Sequence, residues 1–243
     1  MNSTPPQIPV LPVPLAHDMP HLAASLISSG IIKIVALGSS STAGEGGIVP
    51  YPHRLEMMLR DSYPNHTIDV LNRGIRGEEA PKEFDRIDKD VIAEKPNLVI
   101  WQIGTNSVWQ SASEDPPSHD ETIKAIRCGI ECLQKKGTID IVLMDLQYLP
   151  ALLTPATIEA TDKMVGAINQ LALDMKVNLF RRFELMKGWN KMAKICFDRM
   201  VNPDDDKRLH QSEWATHQVS YALRTVIFDA VRNSTIVAQG AHP

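Results

Sequence analysis

Cysteine is scarce in this chain: Cys128, Cys132 and Cys196 are the only three in 243 residues. An odd, sparse count argues against a disulfide framework and leans toward a reducing compartment. Cys128 and Cys132 share one helical face, but no second Cys or His pair completes a zinc site, so they read as packing residues. Long basic runs are missing too. With a formal charge of −4, no phosphate-tracking surface is expected and nucleic acid is set aside as a partner. No apolar run approaches the roughly 20 residues of a membrane span. The opening MNSTPPQIPVLPVPLAH holds no Lys or Arg, and prolines interrupt its apolar part, so it makes a poor signal peptide. The balance favours the cytoplasm slightly and leaves a periplasmic or secreted location open. Neither GxGxxG nor GxxxxGK[ST] follows the first strand-like segment, which leaves little room for a nucleotide- or flavin-binding fold.

Apolar residues make up 43% of the chain and charged residues 22%, enough for one core without a metal or disulfide staple. Residues 1–17 are rich in proline, which blocks helical and ladder hydrogen bonds, and read as an extended arm. Residues 18–234 read as a single domain and 235–243 as a flexible tail. Within the domain, short β-branched runs alternate with helical periodicity. Strands are expected at 31–38, 66–72, 97–104, 139–146 and 177–182. Helices are expected at 52–63, 81–95, 121–137, 156–175, 183–196 and 211–233. Strands apolar throughout, separated by amphipathic helices, predict a five-stranded parallel sheet covered on both faces, a three-layer α/β/α arrangement of flavodoxin type.

In such sheets ligands bind beyond the carboxyl ends of the strands. The first strand is followed by GSSSTAGEGG, the second by NRGIRGEEA, the third by GTNSVW and the fourth by QYLP. NPDDDKRLHQSEW precedes the last helix. The topology therefore carries Ser, Gly, Asn, Asp and His to one edge of the sheet.

Four of these blocks, in this order, resemble those of the SGNH (GDSL) hydrolases, and the resemblance spans about residues 31–230. GSSSTAG is similar to the family's Gly-Asp-Ser-x-Thr-x-Gly. Aligning Gly38, Thr42 and Gly44 places the nucleophile at Ser40. The second block places an oxyanion glycine at Gly77, the third an oxyanion asparagine at Asn106, and the last a catalytic histidine at His210. The resemblance implies an esterase working through an acyl-Ser40 intermediate on small-molecule or carbohydrate esters with small acyl groups, acetyl esters of carbohydrate included. It implies no cofactor and no metal.

Physical chemistry favours the same residues. A serine hydroxyl needs a base to take its proton. A strand-to-helix turn offers free backbone N–H groups to a developing oxyanion. Ser40, Gly77 and Asn106 can each supply one donor. The family's orienting aspartate lies three positions before the histidine, where this chain has Lys207. Asp206 is the first choice for that role and Asp204 the second, with a Ser–His dyad as a further option. Ser39 stands where the family has the aspartate of its GDS motif, and Ser107 where an aspartate often follows the asparagine. These departures motivate an alternative, a non-catalytic binding protein on the same fold. His217 is a rival to His210. Trp109 and Tyr148 are candidate substrate contacts, and residues 107–119 a candidate lid.

Overall fold

The computed structural model describes residues 10–28, 30–109 and 117–240, the side chains of 236–240 excepted. Its elements run α1 Pro20–Ile27, β1 Ile32–Gly38, α2 Ser40–Ala43, α3 Tyr51–Ser62, β2 Ile68–Gly74, α4 Ala80–Asp85, α5 Ile87–Asp90, β3 Leu98–Gln102 and α6 Thr105–Trp109. Then follow α7 His119–Gln134, β4 Asp140–Met144, α8 Ile158–Met175, β5 Asn178–Phe180, α9 Arg182–Lys191, α10 Phe197–Met200 and α11 Glu213–Gly240. Five parallel strands lie in the order β2-β1-β3-β4-β5. Helices α1, α3 and α11 pack together on one side, and α4, α7 and α8 on the other. This is the three-layer α/β/α fold that the alternating pattern predicts.

The central strands explain themselves. β3 is LVIWQ and β4 is DIVLM, buried along their whole lengths, which suits strands covered on both faces. The connection reverses direction across the sheet at β1, which puts the switch point between β1 and β3. Ser40 follows β1 at that point.

Three boundaries differ from expectation. Helix α1 has weak local signals, and its N-terminus is held by distant groups. The Asp140 carboxylate accepts from Leu22 N–H at 2.8 Å, and Ser234 Oγ accepts from Met19 N–H at 2.8 Å. The helix expected at 81–95 is broken at Arg86. There the guanidinium reaches Glu78 (2.7 Å), Asp90 (2.8 Å) and the carbonyl of Arg73 (2.9 Å). The last helix runs on to Gly240. The described part of the N-terminal arm, from residue 10, has no helix or strand before α1. Val10 and Leu15 nonetheless pack on the core, and His17 exchanges two hydrogen bonds with Asn178.

Trp101 of β3 is fully buried, and its Nε1–H donates to Glu83 at 2.8 Å. Burial pushes the Glu83 carboxyl up to about 8, against the hydrogen bond from Trp101 and the charge of Arg86. The folded protein therefore holds a proton at neutral pH that the unfolded chain has released. Stability contributed here falls as pH rises from the ordinary carboxylate value toward 8. Glu83→Gln keeps an acceptor for Trp101 without that penalty. Its stability relative to wild type should rise between pH 5 and pH 8 by on the order of 2 kcal/mol, read from denaturant midpoints at both pH values. A difference independent of pH would contradict this.

Candidate active site

Ser40 is the first residue of α2 and is 8% exposed. The turn that presents it is built from small residues. Gly38 has φ +154°, and a Cβ there would collide with Thr42 Oγ1. The carbonyl of Ser39 accepts from Thr42 N–H (3.0 Å) and Ala43 N–H (2.9 Å), which closes the turn. Gly74 presses on its back: a Cβ at Gly74 would meet the backbone of Thr42 and Ala43. Asn72 Nδ2 donates to Thr42 O at 2.8 Å, and Asn72 Oδ1 accepts from Gly74 N–H at 2.9 Å. The end of β2 thus fixes the serine turn by direct backbone approach, which only glycine permits. Gly74→Ala should displace Ser40 and lower ester turnover at least tenfold, with a stability loss of about 1–3 kcal/mol from overpacking. Wild-type turnover in that variant would show that the close approach is not needed.

Ser40 Oγ lies 3.0 Å from His210 Nε2. His210 Nδ1 lies 3.0 Å from Asp205 Oδ2. The carboxylate expected at Asp206 or Asp204 is Asp205 in the structure; both neighbours are exposed. The reason is a tight loop between the bridged residues Val201 and Gln211. Asn202 N–H donates to His210 O (2.9 Å), and Arg208 N–H donates to Asp205 O (2.9 Å), closing a turn. Arg208 takes φ +54°, which folds the chain back over Asp205. One carboxylate oxygen then accepts from Leu209 N–H at 2.8 Å and His210 N–H at 2.6 Å as well as facing the ring. The two extra residues relative to the three-position spacing are absorbed in that turn. Partial burial works against the charged form of Asp205, but those N–H groups and the neighbouring imidazole outweigh it and hold the carboxyl below its usual range.

Asn106 sits in α6, 5% exposed, and its Nδ2 donates to Glu78 O at 2.8 Å. That bond ties it to the loop carrying Gly77, which has φ +76°. Arg86 braces the same loop through Glu78. The second hydrogen of the Asn106 amide is a further donor. Ser39 bonds Gln102 through both N–H and Oγ, and Ser107 Oγ accepts from Thr122 at 3.1 Å. Both serines support loops.

The remaining candidates fall elsewhere. His217 faces Arg54 at 3.5 Å. Tyr148 is 7% exposed and packs on Phe183 and Phe197, so it is a core residue. Trp109 is partly buried against the core. Among the described residues, the cleft at Ser40 and His210 is lined by Gly44, Ile48, Pro50, Gln211 and Thr216 among others. Of the candidate lid, residues 110–116 lie outside the described residues. Among the described residues no three His, Cys, Asp or Glu side chains are grouped to hold a metal ion, and no helix is long and apolar enough to cross a membrane.

The chain is similar to known esterases and lipase-like proteins. An acetylxylan esterase of Xylanibacter ruminicola is 31% identical over 119 residues, covering 44% of this chain and 24% of the relative. An acetylxylan esterase of Geobacillus stearothermophilus is 34% identical over 82 residues, covering 32% of this chain and 37% of the relative. The chain thus spans about a quarter to a third of the curated relatives it matches. A crystal structure of a Geobacillus stearothermophilus acetylxylan esterase superposes with a TM-score of 0.67 at 24% identity, over 83% of this chain and 95% of the other. A GDSL-like lipase fold from Parabacteroides merdae gives 0.71 at 15% identity, over 82% and 97%. At these identities the two structures speak for the fold. The profile of the Non-GDSL lipase-like family matches residues 7–233, and the chain belongs to that SGNH-like hydrolase family.

Proposed function

We propose that this protein is a serine ester hydrolase that removes short acyl groups, acetyl foremost, from a carbohydrate or other polar alcohol. The observation that carries it is the continuous line from Asp205 through His210 to Ser40, with both links at 3.0 Å. His210 Nε2 takes the Ser40 proton as Oγ attacks the ester carbonyl. Asp205 accepts from Nδ1–H, fixes the tautomer and stabilises the imidazolium. The Ser40 and Gly77 N–H groups and the Asn106 amide are the donors assigned to the oxyanion. The imidazolium then protonates the departing alkoxide. Water repeats the sequence on the acyl-serine and releases the acid.

The non-catalytic alternative rests on two departures, the displaced acid and the serine at the GDS aspartate position; Asp205 beside His210 speaks against the first, and Ser39 still bonds Gln102 at the second. The cleft beside Ser40 is narrow, about 20 Å³, and shares Gly44, Ile48 and Pro50 with a broader open groove of about 580 Å³ that reaches Asn72 and Arg76. A narrow cleft opening on a wide groove that offers His53, Asn72 and Arg76 among apolar walls supports a short acyl group on a larger alcohol. The test is to compare p-nitrophenyl acetate, butyrate and octanoate, and to follow acetate release from acetylated xylooligosaccharides. Acetyl should exceed octanoyl at least tenfold in kcat/KM. Equal or better octanoate turnover would overturn the short-acyl assignment.

A further inference from the structure

Beneath the serine turn lies a line of buried polar side chains to which the proposed chemistry gives no part. Gln102 ends β3 and is 1% exposed, Thr105 is 3% exposed, and Gln147 follows β4 fully buried. Gln102 Oε1 accepts from Ser39 N–H (3.2 Å), Ser39 Oγ (3.1 Å) and Thr42 Oγ1 (3.3 Å). Gln102 Nε2 faces Thr105 Oγ1 at 3.5 Å, the slackest link. Thr105 Oγ1 donates to Gln147 Oε1 at 2.9 Å, and Gln147 Nε2 donates to Leu209 O at 3.0 Å. The line starts beside Ser40 and ends beside His210.

Its direction is dictated at both ends. Leu209 O can only accept. Arg182, fully buried at the start of α9, can only donate, and its Nη2 reaches Gln147 Oε1 at 2.8 Å. The Gln147 amide therefore has one permitted orientation. That makes Thr105 the donor toward Gln147 and so an acceptor for Gln102 Nε2. Gln102 Oε1 is then turned to the Ser39 N–H, which can only donate. A single consistent set of proton positions runs from the nucleophile turn to the histidine loop. Buried polar groups are costly unless all are satisfied, and a satisfied network is rigid.

We infer that Gln102, Thr105 and Gln147, oriented by Arg182, are positioning residues that set the separation between Ser40 and His210. This rests on the esterase assignment and names the device that holds its two reacting side chains in register. The strand ends place the links: Gln102 ties the first turn to β3, and Gln147 ties β4 to the loop that carries the base.

The test uses Thr105→Val, which keeps shape and removes the hydroxyl, and Gln147→Met as a second variant. With p-nitrophenyl acetate, each should lower kcat roughly tenfold to a hundredfold and leave KM within about twofold. Thr105→Ser should restore kcat. Gln102→Met combined with Thr105→Val should cost no more than the worse single change, because both cut one line. In a crystal structure of Thr105→Val, the Ser40 Oγ–His210 Nε2 distance should open beyond hydrogen-bonding range. Folded variants that keep wild-type kcat, or an unchanged 3.0 Å distance, would overturn the inference. Wild-type protein without ester turnover would instead sink the esterase assignment, and the crystallographic distance would still decide the positioning role.

Discussion

Ser40→Ala and His210→Ala are each expected to lower kcat for p-nitrophenyl acetate by about 10⁴-fold or more, and the double variant by little beyond either single change. In the proposed mechanism the two side chains act as one unit. Ser40 Oγ without a base is a weak nucleophile, and His210 without the hydroxyl at 3.0 Å has no proton to accept. KM should move little, since neither group is needed to hold the ester. Steady-state kinetics on the three proteins checks this. Additive losses would mean that the two residues do not share a step.

Asp205→Asn carries the second large effect, a fall in kcat of roughly 10²–10⁴-fold. Asn can still accept one backbone hydrogen bond, so the loop from Asn202 to Gln211 keeps much of its shape. It cannot carry the charge that stabilises an imidazolium. Asp204→Asn and Asp206→Asn should stay within about twofold of wild type, because both side chains are exposed and the His210 bond is made by Asp205. The three variants side by side separate charge near the loop from charge on the ring. The sign of the stability effect also follows. The folded-state carboxyl of Asp205 titrates below its ordinary range. Its contribution is therefore fully present above the unfolded value of about 3.9 and is lost as pH falls through the lower folded value. An Asp206→Asn protein as damaged as Asp205→Asn would contradict this placement.

Strands β1, β3 and β4 were legible because burial on both faces demands mostly apolar runs, and the chain has them, with Lys33, Gln102 and Asp140 at or next to strand ends. Ser40 and His210 were singled out because the blocks around them resemble those of the SGNH hydrolases, in order and at strand ends on one edge of the sheet, and the fold brings the two side chains to 3.0 Å. Asp205 was not. Its distance along the chain from His210 exceeds the family spacing, and only the turn at Arg208 brings its carboxylate under the ring. Helix α1 escaped notice because its cap, Asp140, is 118 residues from Leu22. The break at Arg86 escaped because helical periodicity records faces, not the long-range partners of one guanidinium. Gly74 and the two glutamines did leave a signal. Gly74 sits in the same NRGIRG block as Gly77, and Gln102 and Gln147 are polar residues at or just beyond the ends of apolar strands. A buried amide at such a place must be satisfied by something nearby.

The most direct measurement is covalent. Wild-type protein, Ser40→Ala and His210→Ala would be treated with a fluorophosphonate and followed by intact mass and peptide mapping. One adduct on Ser40 is expected in the wild type, none in Ser40→Ala, and labelling slowed by orders of magnitude in His210→Ala. No adduct on the folded wild type, or an adduct on another residue that persists in Ser40→Ala, would show that Ser40 is not the nucleophile.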